Sequence, residues 1–342
     1  MKQKSGDEHG SSQKKRLRVL HLFGSDVSEY YNIVSTKYAI ECANGTYKDA
    51  TTKKAFEYVY ARVHTEEPRW SFPDDLSEDA LAKAKRYSQA EGVAKLASFN
   101  IDACVPHMFC YPGMTTYRSL LDLLGIPFVG NAPETMALTT HKGMTRAIMS
   151  QAGVTVPKGE VLKKGENETP SLQPPFILKP CREDNSMGVS LVTKAEDIAA
   201  GVATAFKFDD QIIAEEFIPL GRELRIAAVE DEEGNVRVVE SIEYHLPKER
   251  PIRASTDKLS EDEKGLPSGF AKTVTTVPAK TSPKLRKIMS DMVVKAHKAL
   301  DCRDYSLYDV RVSPDDTPYF LEAGLYCSFS PRSKEHRVCI KL

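Results

Sequence analysis

An α/β protein built from two or three domains is predicted by three features of this 342-residue sequence. Short apolar runs alternate with helix-like stretches up to about Asn131, the pattern of a mostly parallel sheet. Later apolar runs pair off around turns. The clearest pair is Tyr308-Asp309-Val310-Arg311-Val312 and Tyr319-Phe320-Leu321-Glu322-Ala323, which flank Ser313-Pro314-Asp315-Asp316 and read as a β-hairpin. The chain is also long enough to bury more than one core.

Taken in order, Leu17 to Ser25 reads as a strand that ends in a Gly/Ser loop, and Ser28 to Ala43 as a helix. A second strand is expected over Lys54–Val63, a helix over Leu76–Phe99, a short strand over Ile101–Pro106 and a helix over Thr115–Leu124. Ile126 to Gly130 closes this block, and ligands are expected at the loops near Ser25, His107 and Asn131. The second block opens with a helix over Glu134–Ala152 and continues into strands at Val156–Leu162, Pro175–Pro180 and Gly188–Val192. Strands from Gln211, at 223–230 and at 235–242, then a helix over Pro283–Leu300, lead to the hairpin. The expected boundaries are a disordered leader over 1–16 and domains over 17–131, 132–212 and 213–342.

Composition removes several function classes. Hydrophobic content of 41%, charged content of 28% and a net charge of −1 are ordinary for a soluble globular protein, and no basic face for nucleic acid is implied. No apolar run is long enough to cross a bilayer. The polar start has no apolar core of a secretory signal, and Asp7 and Glu8 argue against a transit peptide. Seven scattered cysteines without a CxxC pair argue for reduced thiols, so a cytoplasmic protein is expected.

Some side chains carry possible chemistry. Lys142 starts a helix, whereas Lys179 lies inside Phe176-Ile177-Leu178-Lys179-Pro180. A lysine in an apolar strand is costly to bury unless an anion meets it; at a sheet edge it can instead reach water. The following Cys181-Arg182-Glu183-Asp184-Asn185-Ser186-Met187-Gly188 is either a plain turn or a nest of backbone N–H groups for phosphate. Glu215-Glu216-Phe217-Ile218 and Glu223 are either exposed acids or a place for an adenine edge and ribose hydroxyls. Asp309 and Glu322, one on each hairpin strand, repel unless a cation lies between them; such hard oxygens suit Mg²⁺.

The order of these pieces resembles the ATP-grasp superfamily, and more specifically the D-alanine–D-alanine ligases, over roughly residues 17–333. The resemblance implies a Rossmann-like pre-ATP-grasp domain, a small central α+β lid domain and a C-terminal nucleotide and metal domain. It also implies ATP and Mg²⁺ and an ADP-forming ligase reaction that makes a C–N bond. Lys142 and Lys179 would grip the α and β phosphates, with Glu183, Asn185, Ser186 and Gly188 in the loop over them. Glu215, Glu216 and the backbone at Phe217 and Ile218 would hold adenine, and Glu223 the ribose. Lys258 would lie near the γ-phosphate, and Asp309 and Glu322 would hold the metal. Small-molecule substrates and a homodimer are expected, with no nucleic-acid or membrane partner.

The chain departs from the dipeptide ligases where they bind substrate. Their metal-binding Asn is Gly324 here, and the Arg before the metal aspartate is Leu307, so Arg311 is expected to supply that charge. Their Pro-Gly in the oxyanion loop is Cys327-Ser328, which makes Ser328 a catalytic candidate. The acid that anchors the first D-alanine is Tyr30, and the Gly-Glu-Asp after the family histidine is Tyr111-Pro112-Gly113-Met114. Together with His21 to Ser28, Pro106 to Thr115 and Phe320 to Phe329, these changes look like the branch that makes mycosporine-like amino acids. That branch couples mycosporine-glycine, a cyclohexenone, to serine, threonine or glycine. Ser25, His107, Met108, Tyr111 and Tyr326 are the residues expected around its ring. The alternatives are a D-Ala–D-Ala-type or other amino acid ligase and a catalytically impaired ATP-binding homologue.

Overall fold

The computed structural model describes residues 15–46, 54–254, 257, 259–261, 267–270, 274–327 and 329. Strand β1 (Leu17–Gly24) leads through α1 (Glu29–Thr46) to β2 (Phe56–Val63), which pairs with β1 in parallel. β3 (Trp70–Ser71), α2 (Glu78–Lys83), β4 (Arg86–Tyr87), α3 (Gln89–Ala97) and β5 (Ala103–Pro106) complete a five-stranded sheet of order β4-β3-β2-β1-β5. The helix expected over Leu76–Phe99 is therefore two helices with a short strand between them. Its break is local: Ser88 caps α3 reciprocally with Glu91, so a new helix starts there. Gly92 lets α3 lie against the buried Trp70, since a Cβ there would sit 2.3 Å from Trp70 Cγ.

After α4 (Tyr111–Met114) and α5 (Thr116–Leu123), residues 126–130 contribute only a bridge, Cys104 to Phe128. The single helix expected over Glu134–Ala152 is split into α6 (Pro133–Thr140) and α7 (Lys142–Gln151). His141 leaves helical geometry at the junction, and its Nδ1 accepts from Met144 N at 3.2 Å to cap α7. β6 (Gly159–Lys163), β7 (Phe176–Pro180), β8 (Ser190–Val192), α8 (Ile198–Ala205) and β9 (Gln211–Glu216) follow. Their strands form an antiparallel sheet of order β6-β9-β7-β8 with its own apolar core.

β10 (Arg222–Glu230), β11 (Val236–Val238), β12 (Ile242–Tyr244), β13 (Leu259–Glu261), β14 (Pro267–Phe270) and β15 (Thr275–Thr276) come next. The run expected at 235–242 is two strands, β11 and β12. Helix α9 (Pro283–Ala299) and the hairpin β16 (Tyr305–Val312) and β17 (Pro318–Ala323) close the described chain. The larger sheet has the order β15-β12-β10-β16-β17, with β11 on β10. α9 packs Leu285, Met289, Met292 and Val293 on Leu224, Ile226, Val310, Val312 and Phe320. Each such buried side chain contributes about 1.5–3 kcal/mol, so β10 and β16 are a rigid floor for whatever their other face carries.

Candidate active site

A cleft lies between the antiparallel sheet of β7 and β9 and the larger sheet of β10, β16 and β17, and charged side chains from both line it. Glu215 pairs across the sheet with Ile177, and Lys179 with Ile213, so Lys179 and Glu215 are diagonal neighbours on one face. Lys179 Nζ donates to Glu215 Oε1 at 2.5 Å, and both side chains are buried. Burial alone would lower the Lys179 pKa, but the Glu215 and Glu322 carboxylates outweigh it and hold it above the ordinary lysine value. The strand lysine thus meets an anion and does not reach to water.

Two further ion pairs follow from the register of β10 on β16. Glu223 lies opposite Arg311, and Arg225 opposite Asp309. Arg311 Nε donates to Glu223 Oε2 at 2.6 Å, while its Nη1 and Nη2 donate to the carbonyls of Ile218 and Pro251 at 3.0 and 2.9 Å. Arg225 grips Asp309 with both arms, Nε to Oδ1 at 2.7 Å and Nη2 to Oδ2 at 2.9 Å. This corrects the expectation for Arg311. The strand alternation places it on Glu223, two residues away from Asp309, and the charge beside Asp309 comes from Arg225. Burial pushes the Glu223 carboxyl up, against the pull of Arg311.

Asp309 also faces Glu322 across the hairpin, where a bulge shifts the register after Asp309. Both line the cleft, and their hard oxygens have the donor chemistry of a Mg²⁺ site. Lys142 approaches the same point from the start of α7, with Nζ 3.7 Å from Glu322 Oε2 and donating to the Glu183 carbonyl. Its own backbone N–H is anchored on the Cys181 carbonyl at 2.9 Å. The loop over the cleft turns sharply, with Asn185 and Ser186 at φ 54° and 60° and Gly188 at 70°. Ser186, Glu183, Asp184 and Met187 line the cleft, whereas Asn185 and Gly188 only shape the loop. Glu216, Phe217 and Ile218 line it after β9.

A second, smaller cavity adjoins the first and shares Lys142, Glu183, Asp184 and Glu322 with it. Arg225, Gly324, Leu325, Tyr326, Met114 and Met136 are among its other lining residues, together with the polar Thr139, Thr140 and Arg182. Tyr326 stacks on Phe109 at 5.4 Å and donates its hydroxyl to Asp184 Oδ2. Burial, reinforced by Asp184, raises the phenol pKa well above its usual value, so the hydroxyl stays protonated.

Four of the five expected substrate residues line neither cavity. His107 follows β5 and is buried in the first sheet, with Nε2 2.9 Å from His21 Nδ1; burial and His21 hold its pKa well below the ordinary histidine value. Ser25 is buried, its hydroxyl donating to Cys110 Sγ at 3.4 Å, and Met108 belongs to the core of that sheet. Tyr111 is about half exposed at the start of α4. Lys258 and Ser328 lie outside the described residues.

Arg225 and Arg253 were missed. Glu223-Leu224-Arg225 and Asp309-Val310-Arg311 are complementary as antiparallel neighbours, but nothing local in the sequence pairs the two segments. Arg253 lies in an irregular stretch, where periodicity gives no signal.

A family model described as "D-ala D-ala ligase C-terminus" matches residues 148–339, which hold the loop, both ion-paired strands and the hairpin. The chain belongs to this family. A D-alanine–D-alanine ligase of Bordetella petrii is 32% identical over 215 residues, a match that spans 61% of this chain and 61% of that protein. Among solved structures, the VanG D-Ala:D-Ser ligase of Enterococcus faecalis has a TM-score of 0.74 at 19% identity, covering 95% of this chain and 94% of that one. A D-alanine–D-alanine ligase of Bacillus anthracis complexed with ATP has a TM-score of 0.66 at 18% identity, covering 95% and 91%. The fold is that of the ATP-grasp D-Ala ligases. Among the described residues no helix is long and apolar enough to cross a membrane.

Proposed function

We propose that this chain is a Mg²⁺- and ATP-dependent amino acid ligase of the D-Ala–D-Ala type, forming ADP and a C–N bond. One observation carries the reading: Lys142 and Glu322 lie on the wall shared with a second cavity, while Lys179 and Asp309 line the first cavity beside them. Nucleotide and acceptor would meet there. Lys142 and Lys179 offset phosphate charge, and Glu215 and Glu223 orient the base and ribose ends. Asp309 and Glu322 would hold Mg²⁺, which supplies charge neutralisation on the phosphates. The acceptor carboxylate takes the γ-phosphoryl group from ATP, and an amine then displaces phosphate from the acyl phosphate. Arg225, which lines the acceptor cavity, would be the fixed donor that lowers the barrier to the tetrahedral oxyanion. The loop at 181–189, tied down through Tyr326, excludes water from the acyl phosphate.

The narrower reading, with mycosporine-glycine as the activated substrate, is supported by the Met114, Met136, Leu325 and Tyr326 lining, which suits a ring better than a D-alanine side chain. ADP release and product mass, measured with an amino acid panel with and without mycosporine-glycine, test both. Turnover with amino acids alone supports the ligase in its general form. A red-shifted product that needs mycosporine-glycine supports the narrower one. Nucleotide binding without ADP release under any combination overturns both and leaves an impaired homologue.

A further inference from the structure

We propose that Arg253 binds a phosphate oxygen of the nucleotide, an assignment that rests on the ATP-dependent reading above. Arg253 lines the cleft next to Ile252, Glu223 and Asp309. Its guanidinium carbon sits 3.8 Å from the centroid of Tyr244, so the planar group lies on the ring. Stacking fixes that plane and leaves the N–H fork at its edge for a bidentate anion. Nε is buried and has no hydrogen-bond partner among the described residues.

The other cations of the cleft are differently placed. Lys179 is held by Glu215, Arg311 by Glu223, and Lys142 by the Glu183 carbonyl. Arg253 makes no side-chain ion pair among the described residues, yet its backbone is well anchored. Arg311 Nη2 holds the Pro251 carbonyl at 2.9 Å, and Asp257 ties the turn through Arg250 and through Ala254 N at 2.8 Å. A stacked, anchored guanidinium with a buried, unpaired N–H in a nucleotide cleft fits an anionic oxygen, and the triphosphate is the anion that such a cleft receives.

The test is calorimetric titration of the full chain and of R253A and R253K, in Mg²⁺, with AMP-PNP, ADP and adenosine. R253A is expected to bind AMP-PNP about tenfold or more weakly while adenosine binding stays unchanged. R253K, which keeps charge without the fork, is expected to fall between and remains informative should R253A fail to fold. Unchanged AMP-PNP affinity in both variants overturns the assignment, as does an equal loss for adenosine, which would place Arg253 on base or ribose. A wild-type chain that binds no nucleotide overturns the functional reading itself, an outcome distinct from wild-type binding with unaffected variants.

Discussion

Two buried ion pairs stand side by side on β10 and β16, and they differ in what they meet. Glu223–Arg311 faces the first cleft and also holds two backbone carbonyls, whereas Arg225–Asp309 spans both cavities, Asp309 lining the first and Arg225 the second. Removing one partner leaves a buried charge without compensation, a loss of about 3–5 kcal/mol. R225A is therefore expected to lower unfolding free energy by about that amount, and R225A/D309N by clearly less, because the stranded charge is gone. Denaturant titrations of the two variants check this, and equal losses would show that Arg225 acts through packing alone. Gly324 offers the opposite experiment. A Cβ there would meet nothing within 4 Å, so the position is open to the asparagine that the ligase resemblance assigns to the metal. G324N is expected to fold normally and to lower the Mg²⁺ concentration for half-maximal turnover severalfold.

Among the elements, β1 and β5 carry a pH dependence of their own. Burial lowers the His21 pKa from 6.5 to about 4, and burial together with His21 holds the neighbouring His107 well below the ordinary histidine value. A depressed folded-state pKa means that the unfolded chain takes up protons first. Stability is full above about 6.5 and declines as pH falls towards about 4. His21 alone accounts for roughly 3 kcal/mol of that decline. H21N is expected to flatten the slope of melting temperature between pH 7 and 4.5, with circular dichroism as the readout. From outside its own sheet the loop at 181–189 is held by Lys142, on the Cys181 and Glu183 carbonyls, and by the Tyr326–Asp184 bond, whose two residues line the second cavity. Y326F is expected to raise ADP release not matched by ligation product severalfold, because water gains access when the loop is untied. Comparing ADP with product by mass settles it, and an unchanged ratio would assign Tyr326 to packing on Phe109. These same elements show what could be read in advance. Lys179 was legible because a charged residue inside Phe-Ile-Leu-Lys-Pro must answer to something, and the hairpin because its alternation and turn are local. The break before α3 was equally local, since Ser88 and Glu91 have the spacing of a capping box. His107 was misplaced because adjacency to a strand end does not say whether a side chain faces the cleft or the sheet's own core.

For the whole molecule, the remote pairings were the part that the sequence alone hid. Arg225 and Asp309 are separated by 84 residues, so no window of periodicity connects them, and only the β10–β16 register does. That register also decides how a nucleotide should act on stability. The cleft draws Lys179 and Glu215 from one sheet and Glu223, Asp309 and Glu322 from another, so a bound molecule would bridge two separately packed cores. A ligand that binds only the folded chain stabilises it by about 2.7 kcal/mol at a hundredfold excess over Kd. AMP-PNP with Mg²⁺ is expected to raise the melting temperature by several degrees at that excess, and chelation of the metal to remove most of the gain. K179M should abolish the shift, because it removes the phosphate-side charge and leaves Glu215 buried without its cation. A shift that survives K179M would mean that the nucleotide binds elsewhere; a shift insensitive to chelation would take Asp309 and Glu322 out of the metal site.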